Sequence, residues 1–233
     1  MNAIEIQNLK KTYKNREILK DITLSIPQGK IIGILGPNGS GKTTTFKCIL
    51  NLIHFNGSIK LSGVDNQNDP EEAMKKIGAI IEEPCFYGNL SGYKNMIIAS
   101  KYYPNISKQR IDYLIDLFSM QPYIHNKVKS YSLGMKQRLA ISMALVHSPD
   151  IIMLDEPMNG LDPEGIHDLR EILKKICAEE HKTIIVSSHI LSEMQQLCDQ
   201  VIFIKNGEIL GNEAVDSALE ERYLEIIGKH KAS

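Results

Sequence analysis

The segment GPNGSGKT, from Gly36 to Thr43, has the residue types and the spacing of a phosphate-binding loop. Its three glycines let the backbone curl so that successive N–H groups point at phosphate oxygens. Lys42 can reach the β- and γ-phosphates of a nucleotide, and the Thr43 hydroxyl can bind Mg²⁺. We therefore predict that the nucleotide-contacting residues of this segment are Gly36, Pro37, Asn38, Gly39, Ser40, Gly41, Lys42, Thr43 and Thr44.

Two adjacent carboxylates, Asp155 and Glu156, follow the apolar run IIML later in the chain. A buried strand would deliver them to the carboxyl edge of a parallel sheet, where open α/β sheets bind their ligands. There Asp155 would hold Mg²⁺ through water, and Glu156 would act as the general base that activates the attacking water. Carboxylates also end strands as solvated residues, but the phosphate loop upstream favours the catalytic interpretation.

His189 and Tyr13 are two further candidates, and each has a structural alternative. His189 ends the apolar run TIIVSSH, whose carboxyl end should reach the same crevice as the carboxylates. A neutral imidazole there can contact the γ-phosphate or orient the water, although an isolated histidine in such a place is also typical of a hydrogen-bonded core. Tyr13 follows the first expected strand, where its ring would either stack on adenine or cover the strand edge.

The elements that must position these residues alternate between strands and helices. KIIGILG, DIIMLDEP and KTIIVSSH are apolar runs typical of strands covered on both faces, and HDLREILKKICAEE has amphipathic helical spacing. From Asn89 to Pro149 helical spacing dominates, with one face formed by Ile111, Leu114, Ile115 and Phe118. This order predicts one α/β domain over residues 1–233, with a core at about 1–84 and 149–233 and an all-helical lobe at about 85–148.

Length and composition fit this architecture and argue against several classes of protein. At 233 residues with 42% hydrophobic residues, the chain can bury the core of one large domain. The net charge of −1 gives no indication of a basic face, so nucleic acid is not expected as a partner. The four cysteines form no C-x-x-C pair, which argues against structural zinc. No apolar run approaches the ~20 residues that cross a bilayer, so we expect any membrane association to come through a partner.

Taken together, these motifs resemble the nucleotide-binding domain of ABC transporters, in the family's order and over essentially the whole chain. Gly36–Thr43 resembles the Walker A loop, Ile151–Glu156 the Walker B strand, His189 the switch histidine and Tyr13 the aromatic A-loop residue. NGLD resembles the D-loop, which implies that Asp162 belongs to the nucleotide-binding residues. The resemblance implies a P-loop NTPase (RecA-like) core with an N-terminal antiparallel β subdomain and an inserted all-helical lobe, using ATP and Mg²⁺.

YSLGM, from Tyr131 to Met135, occupies the place of the family's signature sequence, usually LSGGQ. In this family two domains bind head to tail, and each ATP lies between the phosphate loop of one and the signature helix of the other. The resemblance therefore implies that Ser132 and the N–H groups around Gly134 serve the γ-phosphate held by a second ATP-binding domain. Taken without the family, Ser132 would be an ordinary helix N-cap.

Glu82, in the segment IGAIIEEP, stands where the family has the Q-loop glutamine. A glutamine offers a neutral carbonyl to Mg²⁺ or water, whereas a glutamate adds a full negative charge beside the phosphates. Glu82 is therefore a candidate metal ligand, together with Thr43 and Asp155. It is equally consistent with a solvated loop charge, like its neighbour Glu83.

The segments IEEPCFYGNLSG, YSLGMKQRLAIS and SSHILSEMQQLCDQV resemble the bacitracin-resistance and lantibiotic-immunity branch of the family. That resemblance implies export of an antimicrobial peptide or drug through separate ABC-2-type permease subunits. The chain would then be cytoplasmic and peripheral on the inner face of the cell membrane. Its helical lobe and the Glu82–Gly88 loop would dock on the permease.

Three alternative functions are consistent with parts of the pattern. One is an ABC importer or another ABC-2 exporter with a different cargo. The second is a soluble non-transport ABC ATPase acting on ribosomes or DNA, although such proteins usually carry tandem domains or a long coiled-coil insertion. The third, a small-molecule kinase with a P-loop, would have no use for a signature helix.

Overall fold

Two separate β-sheets and eight α-helices make up the computed structural model, which describes residues 1–229. The strands are β1 (Asn2–Tyr13), β2 (Arg16–Pro27), β3 (Ile31–Leu35), β4 (Asn56–Leu61), β5 (Val64–Asp65), β6 (Ile77–Ile80), β7 (Ile151–Leu154), β8 (Thr183–Ser188), β9 (Gln200–Lys205) and β10 (Glu208–Ala214). The helices are α1 (Lys42–Ile49), α2 (Pro70–Lys75), α3 (Gly92–Ser100), α4 (Lys108–Leu117), α5 (Leu133–Ala144), α6 (Pro163–Glu180), α7 (Leu191–Leu197) and α8 (Leu219–Lys229).

The larger sheet has six strands in the order β10-β9-β3-β8-β7-β6, and all but β10 run parallel. Every residue of β3, β7 and β8 is buried, as expected for apolar strands covered on both faces. Leu35 at the end of β3 pairs with Ser188 of β8, and Leu154 at the end of β7 pairs with Ile80 of β6. The segments that follow these strands therefore emerge along one edge of the sheet.

The smaller sheet is antiparallel, in the order β2-β1-β4-β5. Its buried residues, such as Ile4 and Ile6, share a hydrophobic core with Phe46 and Ile49 of α1 and with Ile34 of β3. Helix α1 begins directly after the phosphate loop. This core therefore holds the helix that carries Lys42 and Thr43 between the two sheets.

Helices α3, α4 and α5 lie between β6 and β7 along the chain. The predicted apolar face of α4 is buried: Ile111, Leu114, Ile115 and Phe118 are at most 6% exposed. These residues belong to the same hydrophobic core as Leu154 of β7. The architecture agrees with the predicted fold class, an α/β core with an N-terminal antiparallel sheet and inserted helices. No helix within residues 1–229 combines the length and the apolar content that crossing a bilayer requires.

The contact between α5 and β6 generates a prediction about stability. A Cβ atom at Gly78 of β6 would lie 2.1 Å from the backbone oxygen of Ala144, at the end of α5. We expect Gly78→Ala to lower the free energy of unfolding by about 1–3 kcal/mol, because the helix or the strand must shift. Gly88→Ala is the matched control, since its nearest neighbour would be a Lys129 carbon at an ordinary 3.7 Å. Equal urea midpoints for the two variants would contradict this account.

Candidate active site

The phosphate loop joins β3 to α1, and its shape depends on glycine at two places. A Cβ atom at Gly36 would lie 2.1 Å from the backbone oxygen of Ile204 on the neighbouring strand β9. Gly41, which immediately precedes α1, has a φ of +115°, a conformation that other residues rarely adopt. Together they let the loop curl under the N-terminus of α1, where free backbone N–H groups favour an anion.

Lys42 and Glu156 form a largely buried ion pair at the centre of the site. The Lys42 Nζ lies 3.2 Å from Glu156 Oε1, and the two side chains are 6% and 20% exposed. The same ammonium group donates a hydrogen bond of 2.7 Å to the Gly36 carbonyl oxygen, so it lies over the phosphate loop. Incoming phosphate oxygens would compete with Glu156 for this cation.

His189 approaches the other oxygen of the same carboxylate, with its Nδ1 3.0 Å from Glu156 Oε2. An ionised carboxylate can only accept a hydrogen bond, so Nδ1 carries the proton of this pair. The imidazole is 40% exposed, which distinguishes it from a buried core histidine. Glu156 thus lies between Lys42 and His189, and the structure brings the two predicted catalytic residues together.

A chain of hydrogen bonds links the phosphate loop to the ends of β7 and β8. The Thr43 hydroxyl donates to Asp155 Oδ2 at 2.7 Å, so these two predicted metal ligands are in contact. The Ser187 hydroxyl donates to Asp155 Oδ1 at 2.5 Å and accepts a bond of 2.8 Å from the Glu156 amide. The sequence motifs do not indicate Ser187. The signal that could have identified it is a polar residue within the apolar run KTIIVSSH, which forms a buried strand.

The phosphate loop faces a cavity of about 550 Å³, within the usual size range of small-molecule sites. Of the predicted residues, those from Asn38 to Thr44, Glu156 and His189 line it, and so does Asn159, the first residue of NGLD. Arg16 and Ile18 also line it, and the motifs do not indicate them. Tyr13 is not among the lining residues; its side chain is 45% exposed, and the Lys11 ammonium lies 4.4 Å from the centre of its ring. Adenine stacking by Tyr13 stays a prediction.

Ser132, Gly134 and Asp162 line a second cavity, of about 330 Å³, which shares no lining residue with the first. Within one chain both polar residues cap helices. The Ser132 hydroxyl accepts a bond from the Met135 amide at the start of α5, and the Asp162 carboxylate accepts one from the Gly165 amide at the start of α6. The predicted nucleotide contacts therefore fall into two groups that line different cavities.

Glu82 follows β6, and its carboxylate pairs with Lys47 of α1 at 2.6 Å. This hydrogen bond raises the pKa of the Lys47 ammonium above its ordinary value. The Glu82 side chain is 63% exposed, and it lines a third cavity together with Asp155 and Glu156. Glu82 thus lines the same cavity as Asp155, one of the other two predicted metal ligands, but its observed partner is Lys47.

A comparison with protein families assigns the chain. The family described as ABC transporter matches residues 19–159. This chain belongs to the ABC transporter family. It is the ATP-binding domain, and the predicted family membership and ATPase activity are confirmed.

Curated relatives of this ABC domain include the lantibiotic transport ATP-binding protein SrtF of Streptococcus pyogenes, 42% identical over 94% of this chain and 95% of its own length. The bacitracin transport ATP-binding protein BcrA of Enterococcus faecalis is 40% identical over 89% of this chain and 68% of its own. The uncharacterized ABC transporter ATP-binding protein YdbJ of Bacillus subtilis is 40% identical over 98% of this chain and 76% of its own.

Solved structures confirm the fold of the ABC domain. An ATP-binding subunit of an ABC transporter superposes with a TM-score of 0.86 at 27% identity, covering 97% of this chain and 99% of the other. A dimeric ATP-binding cassette in a post-hydrolysis state, bound to ADP and phosphate, superposes with a TM-score of 0.82 at 26% identity, covering 92% and 99%.

The Lys47–Glu82 pair generates a prediction about ATP affinity. Lys47→Met removes a cation and leaves the Glu82 charge unpaired in the third cavity, beside Asp155 and Glu156, so we expect the dissociation constant for ATP to rise roughly twofold to tenfold. Lys47→Met/Glu82→Gln restores the net charge of the pair and should regain most of the affinity. Fluorescence titration with an ATP analogue measures both.

Lys75→Met is the control for this experiment, because Lys75 pairs with Glu71 and Glu72 on α2. It removes an equal charge from the surface and should leave ATP affinity unchanged. A double variant that binds ATP no better than Lys47→Met would show that the Glu82 charge does not act on the site.

Proposed function

We propose that this chain is the ATP-hydrolysing subunit of an exporter that removes an antimicrobial peptide or drug through separate membrane permease subunits. The observation that carries the cargo assignment is the identity of 40–42% to bacitracin and lantibiotic transport proteins over most of the chain. A different cargo or direction is the second candidate, supported by the uncharacterized relatives of similar identity. Action on ribosomes or DNA is disfavoured by the transport names of these relatives.

The geometry supports distinct roles in hydrolysis for three residues. Lys42 would bind the phosphates, exchanging its contact with Glu156 for their oxygens. Glu156, released from the ammonium, would accept a proton from water as that water attacks the γ-phosphorus and the bond to the bridging oxygen of ADP breaks. His189 would keep its hydrogen bond to Glu156 Oε2 and so orient this carboxylate as the base.

The residues present fit a bound Mg²⁺. The Thr43 hydroxyl and the Asp155 carboxylate are hard oxygen donors, which this ion prefers, and they already lie 2.7 Å apart. No three histidine, cysteine or acidic side chains converge into a metal site within the part of the chain described, so nucleotide phosphates and water would complete the coordination. When bound, Mg²⁺ would neutralise charge on the phosphates. Glu82 Oε1 contacts Lys47, so Glu82 would join either through Oε2 or by exchanging this contact.

A head-to-tail pair of ATP-binding domains accounts for the two separate cavities. In the proposed pair, Ser132, Gly134 and Asp162 of one domain face the phosphates held by Lys42 of the other. The dimeric cassette bound to ADP and phosphate, at 26% identity, supports this arrangement. ATP would then join the two domains, and loss of the γ-phosphate would release them.

The permease would be of ABC-2 type, and the chain would work on the inner face of the membrane through it. We propose the helices between β6 and β7, with the Glu82–Gly88 loop, as the docking surface. Tyr87 in this loop is 58% exposed, an apolar ring available to a partner. We propose the same limits for this helical lobe as the sequence predicts, about residues 85 and 148.

Glu156→Gln tests the catalytic assignment. We expect ATP affinity to be retained, hydrolysis to fall by at least ~100-fold because the general base is lost, and an ATP-bound dimer to accumulate. Glu179→Gln, an exposed carboxylate on α6, is the control and should hydrolyse ATP normally. Undiminished steady-state hydrolysis by Glu156→Gln would remove this residue from the proposed role.

The same variant tests the cargo. The chain is expressed with its permease subunits in a sensitive host, and the inhibitory concentrations of bacitracin and of a lantibiotic are measured. Wild type should raise at least one of them, and Glu156→Gln should not. Identical inhibitory concentrations with wild type and Glu156→Gln would contradict export of these peptides.

Ser132→Arg tests the head-to-tail pair. The bulky cation should block the approach of the partner's ATP, so hydrolysis should fall while the ATP affinity of the single chain stays unchanged. Ser107→Arg is the matched control, because Ser107 caps α4 as Ser132 caps α5. A dissociation constant that rises in step with the lost activity would contradict the proposed contact in trans.

A further inference from the structure

One buried hydroxyl group ties together the two carboxylate residues at the end of β7. Ser187 of β8 is fully buried, and its Oγ donates to Asp155 Oδ1 at 2.5 Å. The same oxygen accepts the bond from the Glu156 amide at 2.8 Å. A serine hydroxyl has one proton to donate and can accept in return, so both of its capacities are used here.

These two bonds act on atoms that determine the geometry of the site. Fixing Asp155 Oδ1 leaves Oδ2 directed at the Thr43 hydroxyl, where the ion would bind. The Glu156 backbone has a φ of +49°, which is uncommon for a residue other than glycine. The bond to its amide supports this conformation, from which the Glu156 carboxylate reaches Lys42 and His189.

We propose that Ser187 is a positioning residue for ATP hydrolysis. It holds Asp155 and Glu156 in their working orientations, and it acts through them rather than on the nucleotide. The inference rests on the roles proposed above for Asp155 and Glu156. It assigns to β8 a function in hydrolysis beyond carrying His189.

The next residue of the same strand provides a matched control. Ser188 is 2% exposed, and its hydroxyl also makes two hydrogen bonds, donating to Glu193 and accepting from the Ile190 amide. Successive side chains of a strand point to opposite faces, so Ser188 faces away from Asp155 and Glu156. Ser188→Ala therefore removes an equivalent buried hydroxyl that makes no hydrogen bond to Asp155 or Glu156.

The experiment compares Ser187→Ala, Ser187→Cys, Ser187→Thr and Ser188→Ala with wild type. For Ser187→Ala we expect kcat to fall roughly 10- to 100-fold with little change in KM, because a hydrogen bond to a charged group is lost. Ser187→Thr keeps the hydroxyl and should regain most of kcat. Ser187→Cys, a weaker donor of similar size, should lie between Ala and wild type, which keeps the test valid if threonine does not fit.

A binding measurement without turnover complements the kinetics. In the Glu156→Gln background, Mg²⁺ is titrated against binding of a fluorescent ATP analogue. Ser187→Ala should raise the Mg²⁺ concentration needed for half of the effect severalfold and should leave metal-free binding unchanged. Urea unfolding of every variant separates this effect from a loss of folded protein.

Two outcomes would overturn the inference. One is wild-type kcat and Mg²⁺ dependence in Ser187→Ala. The other is an equal loss of kcat in Ser188→Ala at equal stability, which would make the effect a general consequence of losing a buried hydroxyl. Either result leaves the proposed function intact as long as Glu156→Gln is inactive, whereas an active Glu156→Gln would remove the basis of both.

Discussion

The register of β3, β8 and β7 determines the relative positions of all the groups that this site uses. Leu35 pairs with Ser188, and Leu154 pairs with Val186, so the phosphate loop, the two carboxylates and His189 emerge side by side. A slip of one residue would turn every side chain of a strand to the opposite face. The complete burial of these strands prevents such a slip, because it would require repacking the core on both sides of the sheet.

Within one chain, the positive charge of Lys42 is balanced by the negative charge of Glu156. Lys42 is almost fully buried, and Glu156 is its counter-charge. Removing one partner of a buried pair typically costs 3–5 kcal/mol, because the other charge is left uncompensated. In the proposed mechanism ATP would avoid this penalty, because its phosphates would replace Glu156 as the counter-charge of Lys42. Binding of ATP and release of the proposed base would then be the same event.

The family, the fold class and the strand-end positions of the central residues could be predicted from the sequence. Each of these predictions rests on residues that are adjacent in the sequence: an apolar run followed by polar residues, or a glycine-rich segment before a helix. The partners of these residues could not be predicted in the same way. Ser187 lies 32 residues from Asp155, and Lys47 lies 35 residues from Glu82, so only the folded sheet brings them together. The lining of the cavity likewise includes Arg16 and Ile18, which belong to no motif.

The two cavities without a common lining residue have a kinetic consequence for the proposed pair. A single chain would bind nucleotide at any dilution, but at protein concentrations far below the dissociation constant of the pair the rate of turnover would rise with the square of the protein concentration. A permease that holds two copies side by side converts this encounter into an intramolecular one, with an effective concentration set by its own dimensions. The free chain would then stay nearly idle, and nucleotide consumption would be confined to assembled transporters.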